Sequence, residues 1–148
     1  MTTQEKRPII FLVIDTITFL GYYAILLNVY NSKLTDMGEL PFWGASILLL
    51  VPVMILSRIV LYLFYSILNS VITKKREEKF LTDEFGKLIK LRSTRNFNNT
   101  FMVCFLTTMG FLVLGISITT MFKLLFFSIF ASFIVQNLSE LYYTRKGI

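Results

Sequence analysis

An all-α, polytopic membrane protein with four transmembrane helices is the fold class that this sequence predicts, and three observations carry the prediction. The 148 residues are 55% hydrophobic and only 16% charged, whereas soluble domains run at about 45–50% and about 25%. The charges leave long apolar stretches at residues 8–32, 41–73, 97–122 and 124–139; only Asp15 interrupts the first and only Arg58 the second. A helix needs about 20 mostly apolar residues to cross a hydrocarbon core of about 30 Å, and four spans fit, at about residues 8–30, 42–70, 99–117 and 119–141. The third observation is where the cations lie. Twelve of the 15 Lys and Arg residues sit before the first span, between the second and third, or after the fourth, against Lys33 and Lys123 in the other two connections. The positive-inside rule then predicts two antiparallel hairpins with both termini and the segment 73–98 in the cytoplasm. The whole chain reads as one four-helix transmembrane domain, residues 1–148.

Each element has its own signal. Pro8 suits a first helical turn, where the missing N–H costs nothing. The apolar part of the first span runs past the length of a signal peptide and ends in no small-x-small cleavage pattern, so it reads as a retained span. The connection NSKLTDMGELP, residues 31–41, holds turn formers and mixed charge and is expected to face outward. Trp43 is placed like an interfacial anchor, and Pro52 is a candidate kink in the second span. Residues 73–98 read as an amphipathic cytoplasmic helix between spans two and three, lying on the inner membrane surface or extending span three. Thr82 or Asp83 can cap it, and Lys87, Lys90, Arg92 and Arg95 follow where a helix dipole favours cations. Leu81, Phe85, Leu88 and Ile89 share one face. The turn SITT, residues 117–120, is short enough to make spans three and four a tight pair, and Lys123 can snorkel to the headgroups beside it.

Ionisable residues within a span are rare and usually meet a partner inside the bundle. Asp15 lies about 10 Å along the first span from its cytoplasmic end and Arg58 about 15 Å from the same side along the second, at about 1.5 Å per residue. The forked head of an arginine can close that offset, and an Asp15–Arg58 intramembrane ion pair is expected. Polar residues form stripes that plausible inward faces would carry: Asp15, Thr18 and Tyr22; Arg58, Tyr62, Tyr65 and Asn69; Thr100, Cys104, Thr107 and Thr108; Ser128, Ser132, Gln136 and Glu140. The abundant Phe and Leu side chains are then left to meet lipid, and Ser128 with Ser132 permits close helix approach.

The stretch TDEFGKLIKLRSTRNFNNTFMV, residues 82–103, resembles a group of small uncharacterised bacterial four-span membrane proteins. They carry an acidic D-E motif, then a basic and apolar segment immediately before the third span. Many have an arginine after the D-E pair where this chain has Phe85. The resemblance implies a multi-pass protein of the bacterial cytoplasmic membrane, no assigned catalytic residues, and an association of some members with small helix-turn-helix regulators.

Two functions compete on these residues. One is a non-enzymatic accessory or regulatory membrane protein that acts by interaction. It would present Phe85, Leu88, Ile89, Lys87, Lys90, Arg92 and Arg95 to a cytoplasmic or membrane protein, or to anionic lipid at the cytoplasmic face. The other is a small transporter or channel using Asp15 and Glu140, assembled as a homo-oligomer because four short helices enclose little room. An enzyme is not expected: the chain has no His, Cys104 is its only cysteine, and no carboxylates cluster within a span. The same inventory supplies no metal-ligand spacing and no cofactor motif. The net charge of +6 flanks the spans, which accounts for it without nucleic acid.

Overall fold

A computed structural model of the chain describes the backbone of residues 3–73 and 84–147, and the side chains of residues 7–30, 38–67 and 85–147. Four α-helices account for nearly all of it: α1 Thr3–Met37, α2 Glu39–Thr73, α3 Glu84–Val113 and α4 Ile118–Lys146. Three stretches are long and apolar enough to cross a membrane: Arg7–Tyr30, Glu39–Ile67 and Ile118–Lys146. α3 is not among them, because Arg92, Arg95, Asn96, Asn98 and Asn99 lower the hydropathy of its first half.

The expected connections differ in detail. Residues 31–37 are helical rather than looped, and a single residue, Gly38, separates α1 from α2. Its φ of 78° is in the left-handed region that glycine enters without a Cβ clash. α1 begins at Thr3, so Pro8 stands inside the helix, buried, and not in its first turn. α2 continues through Pro52 without a break. The turn between α3 and α4 comes earlier than SITT, at residues 114–117, with Gly115 at φ 91°. Ser117 then caps α4, its hydroxyl accepting from the Thr120 N–H at 3.2 Å, which satisfies one of the donors that a helix start leaves open. At the far end Gly147 closes α4 after Arg145 and Lys146.

Residues 84–113 form one continuous helix, which is the second of the two arrangements expected for the amphipathic segment: from residue 84 it is the first part of α3. The proposed caps Thr82 and Asp83 lie outside the described residues.

α4 is the hub. It packs against α1, α2 and α3, α1 packs also on α2, and α3 touches α4 alone among the described residues. The core is accordingly shared by three helices: Phe19 and Leu26 of α1, Phe42, Trp43, Leu50 and Met54 of α2, and Phe126 and Ile129 of α4. Phe19 stacks on Phe130 at 3.9 Å between ring centroids and meets Phe126 at 4.9 Å. The polar stripes leave Phe and Leu to lipid, yet Phe126 of α4 is in the core and Phe122, Phe130 and Phe133 pack against it, while Phe127 is exposed. The physical reason is area: an aromatic ring filling a gap between three helices gains dispersion contacts that a lipid tail packs less closely. Trp43 follows the same rule. It is buried against neighbouring helices, its ring meets Tyr30 and Phe42, and the Lys123 ammonium lies 5.5 Å from its centroid.

Cross-helix contacts fix the register. Along α1 the partners on α2 run in reverse: the Tyr30 hydroxyl donates to Glu39 at 2.9 Å, Tyr22 to the Ser46 carbonyl at 2.8 Å, then Asp15 meets Arg58 and Arg7 meets Tyr62. Glu39 is also reached by the Thr119 hydroxyl at 2.6 Å, which ties the start of α4 to the same end.

Candidate functional site

Asp15 stands on the α1 face that continues through Phe19, Tyr22 and Leu26, spaced as a helix stripe requires. That face meets both α2 and α4, and the Asp15 side chain is completely buried. Arg58 reaches it from α2: Nε donates to Oδ1 at 2.6 Å and Nη2 donates to Oδ2. Asn137 of α4 supplies a third donor, Nδ2 to Oδ2 at 2.6 Å. One carboxylate therefore collects a forked guanidinium and an amide from two other helices. Such charge-assisted bidentate pairs are the strongest ordinary hydrogen bonds, and a buried carboxylate requires them, because an unpaired charge out of water costs several kcal/mol.

The arginine is held on its other surfaces by rings. Its guanidinium carbon lies 4.6 Å from the Phe133 centroid and 5.7 Å from that of Phe11. These aromatic faces, from α4 and α1, attract the cation and shield the pair. Toward the end of α1 that carries Arg7, the Arg7 Nε donates to the Tyr62 hydroxyl at 3.1 Å and its guanidinium lies over the Tyr62 ring. A shallow apolar groove of about 350 Å³, lined by Phe11, Arg58, Ile59, Tyr62, Leu63 and Ser66, runs along this side of α2.

The remaining stripe residues are placed as follows. Tyr65 is half-buried, and the side chain of Asn69 lies outside the described residues. Ser128 and Ser132 are buried, but their hydroxyls donate back to the carbonyls of Leu124 and Ser128 in their own helix. They serve by being small where α4 is crowded, rather than by bonding across helices. Thr107 and Thr108 likewise bond within α3, and Thr107 is exposed. Gln136 is half-buried. Glu140, also half-buried, feels the charges of Lys90, Arg7 and Arg58, yet its carboxylate accepts no hydrogen bond from the described residues. Near it, Asn96 of α3 donates to the hydroxyls of Ser139 and Tyr143 at 3.0 and 3.2 Å.

In the segment expected to dock a partner, Phe85, Leu88, Lys87, Lys90 and Arg95 are exposed. Arg92 is half-buried, with its guanidinium 6.0 Å from the Tyr143 ring. Ile89 is a correction: it is only 7% exposed, in the part of α3 that packs on α4, and is not available to a partner. The next apolar position, Leu91, is exposed in its place at 69%.

Asn137 and Phe133 are the site residues that the polar stripes missed. Asn137 is one position beyond Gln136, off the serine row, but it continues the row Phe126, Phe130 and Phe133 at helical spacing. A lone amide on an aromatic stripe was the available signal. The chain matches no protein-family model, no curated protein and no solved structure. Fold and site together define a class: an all-helical protein with three helices able to cross a membrane, joined around a buried, neutralised carboxylate.

Proposed function

We propose that this is a non-enzymatic integral membrane protein that acts by interaction, with the Asp15–Arg58–Asn137 cluster as a structural lock. The observation that carries the lock is that Asp15 is fully buried with both oxygens taken by side-chain donors. A proton or ion carrier needs a carboxylate that can change partners, and this one has three donors and no solvent. Exposed basic and apolar residues at the start of α3 support the interaction half of the reading.

In the bilayer, the chain forms two antiparallel hairpins, and α3 supplies the third of four spans from about residue 94 onward. The reversed order of α1–α2 contacts supports the first hairpin, and the short 114–117 turn supports the second. Charge bias puts both termini and the α2–α3 connection in the cytoplasm, and the sequence resemblance favours a bacterial cytoplasmic membrane. A photo-crosslinker at Leu91 in cells tests the interaction: a reproducible protein adduct is expected, and an adduct-free protein with a dispensable α3 start contradicts the reading.

One observation favours the transporter alternative. Glu140 is a half-buried acid whose carboxylate accepts no hydrogen bond from the described residues. Flux into proteoliposomes distinguishes the two. Transport that Asp15→Asn and Glu140→Gln each abolish would replace the interaction reading.

A further inference from the structure

The start of α3 shows one face to α4 and another to no described residue. Ile89 and Ser93 are buried, whereas Phe85, Leu88 and Leu91 are 44%, 50% and 69% exposed. At 100° per residue the three fall on one side of the helix with Arg95, and Lys87 borders them on the side away from α4. A row of large apolar side chains edged by cations is the pattern of a helix that expects another helix.

Length decides what surrounds this row. A helix of 30 residues is about 45 Å long, and the hydrocarbon core accounts for about 30 Å. Counting about 20 residues back from Val113 reaches residue 94, so residues 85–93 project beyond the span as a straight continuation of it. They cannot lie flat on the bilayer while the same helix packs along α4: Leu91, about 4–5 Å past the hydrocarbon, meets the headgroup layer, and Leu88 and Phe85 reach beyond it, uncovered by any described residue. Charge identifies the occupant. No Asp or Glu occurs anywhere from residue 85 to 139, while Lys87, Lys90, Arg92 and Arg95 fall within eleven residues. A second copy would bring the same cations against these, and like charges across a helix pair oppose association.

We propose that residues 85–95 of α3 dock an amphipathic helix of a partner protein whose apolar row is flanked by Asp and Glu. The inference rests on the interaction reading above and narrows it to a class of partner. Phe85, Leu88 and Leu91 supply the apolar contact, and Lys87 and Arg95 select an acidic flank.

The full chain in phosphatidylcholine nanodiscs tests this with two fluorescent synthetic helical peptides, identical in their leucine rows and flanked by Glu in one and by Lys in the other. The Glu-flanked peptide binds by anisotropy and the Lys-flanked one does not. Leu88→Ser with Leu91→Ser weakens binding by about tenfold or more, and Lys87→Glu with Arg95→Glu moves the preference to the Lys-flanked peptide. All four positions are exposed, where substitutions cost little stability. Binding that survives the two serines reveals charge attraction alone and overturns the proposal. So does an interchain disulfide in Leu91→Cys, which would assign the face to a second copy. Quenching of a probe at Phe85 by brominated phosphatidylglycerol would assign the face to anionic lipid instead. A protein adduct at Leu91 in cells, with no peptide binding, would leave the interaction reading standing and remove the acidic-helix proposal.

Discussion

Two regions of this molecule handle charge in opposite ways. Where α1, α2 and α4 meet, one carboxylate and one guanidinium are enclosed, and three hydrogen bonds and two aromatic faces account for them. At the start of α3, Lys87 and Arg95 border apolar side chains that no described residue covers. The first arrangement is complete among the described residues, and the second is left open by them. That contrast puts the larger stability cost of mutation in the first region and, on the proposed interaction, the effect on partner binding in the second.

The contrast breaks most severely at Arg58. Arg58→Leu leaves Asp15 buried with only the Asn137 amide, and a loss of about 3–5 kcal/mol is expected, read as a lower unfolding midpoint in mixed detergent titration. Ser132 comes next. It is fully buried, so Ser132→Leu overpacks α4 against its neighbours, at about 1–3 kcal/mol in the same assay. Asn137→Ala removes one of three donors and opens a small gap, and about 1–3 kcal/mol is again expected, falling short of the Arg58 effect because the guanidinium remains. Leu91→Ser belongs to the other region and is the sharpening control. An exposed side chain changes stability by no more than about 0.5 kcal/mol, while partner binding falls. A Leu91→Ser variant that unfolds would show that the α3 face is part of the fold after all.

Parts of this division were legible in the sequence. Asp15 and Arg58 are lone charges in separate apolar runs at similar depth, and depth together with sign was enough to pair them. Asn137 was hidden because an uncharged amide does not stand out beside Ser139 and Gln136. The serine row of α4 misled for a related reason: a small hydroxyl can satisfy itself on its own helix, as Ser128 and Ser132 do, so a polar stripe need not mark a bonding face. The inward turn of Phe126, Phe130 and Phe133 could not be read from hydropathy, which ranks a ring packed on protein and a ring in lipid alike. Residue 31–37 polarity suggested a loop, but Gly38 alone reverses the chain, and helix propensity carries α1 up to it. The continuity of α3 was offered only as one of two options, since an amphipathic pattern is the same for a helix lying on a surface and for one extending a span.

The central claim is that Asp15 and Arg58 form a closed structural pair, and a double-mutant cycle between them tests it most directly. Unfolding of Asp15→Asn, Arg58→Leu and the double variant is measured in identical lipid–detergent mixtures. Arg58→Leu is expected to be the least stable of the three, and adding Asp15→Asn to restore most of its loss, because no buried charge is then stranded. Losses that simply add, leaving the double variant the weakest, would contradict it.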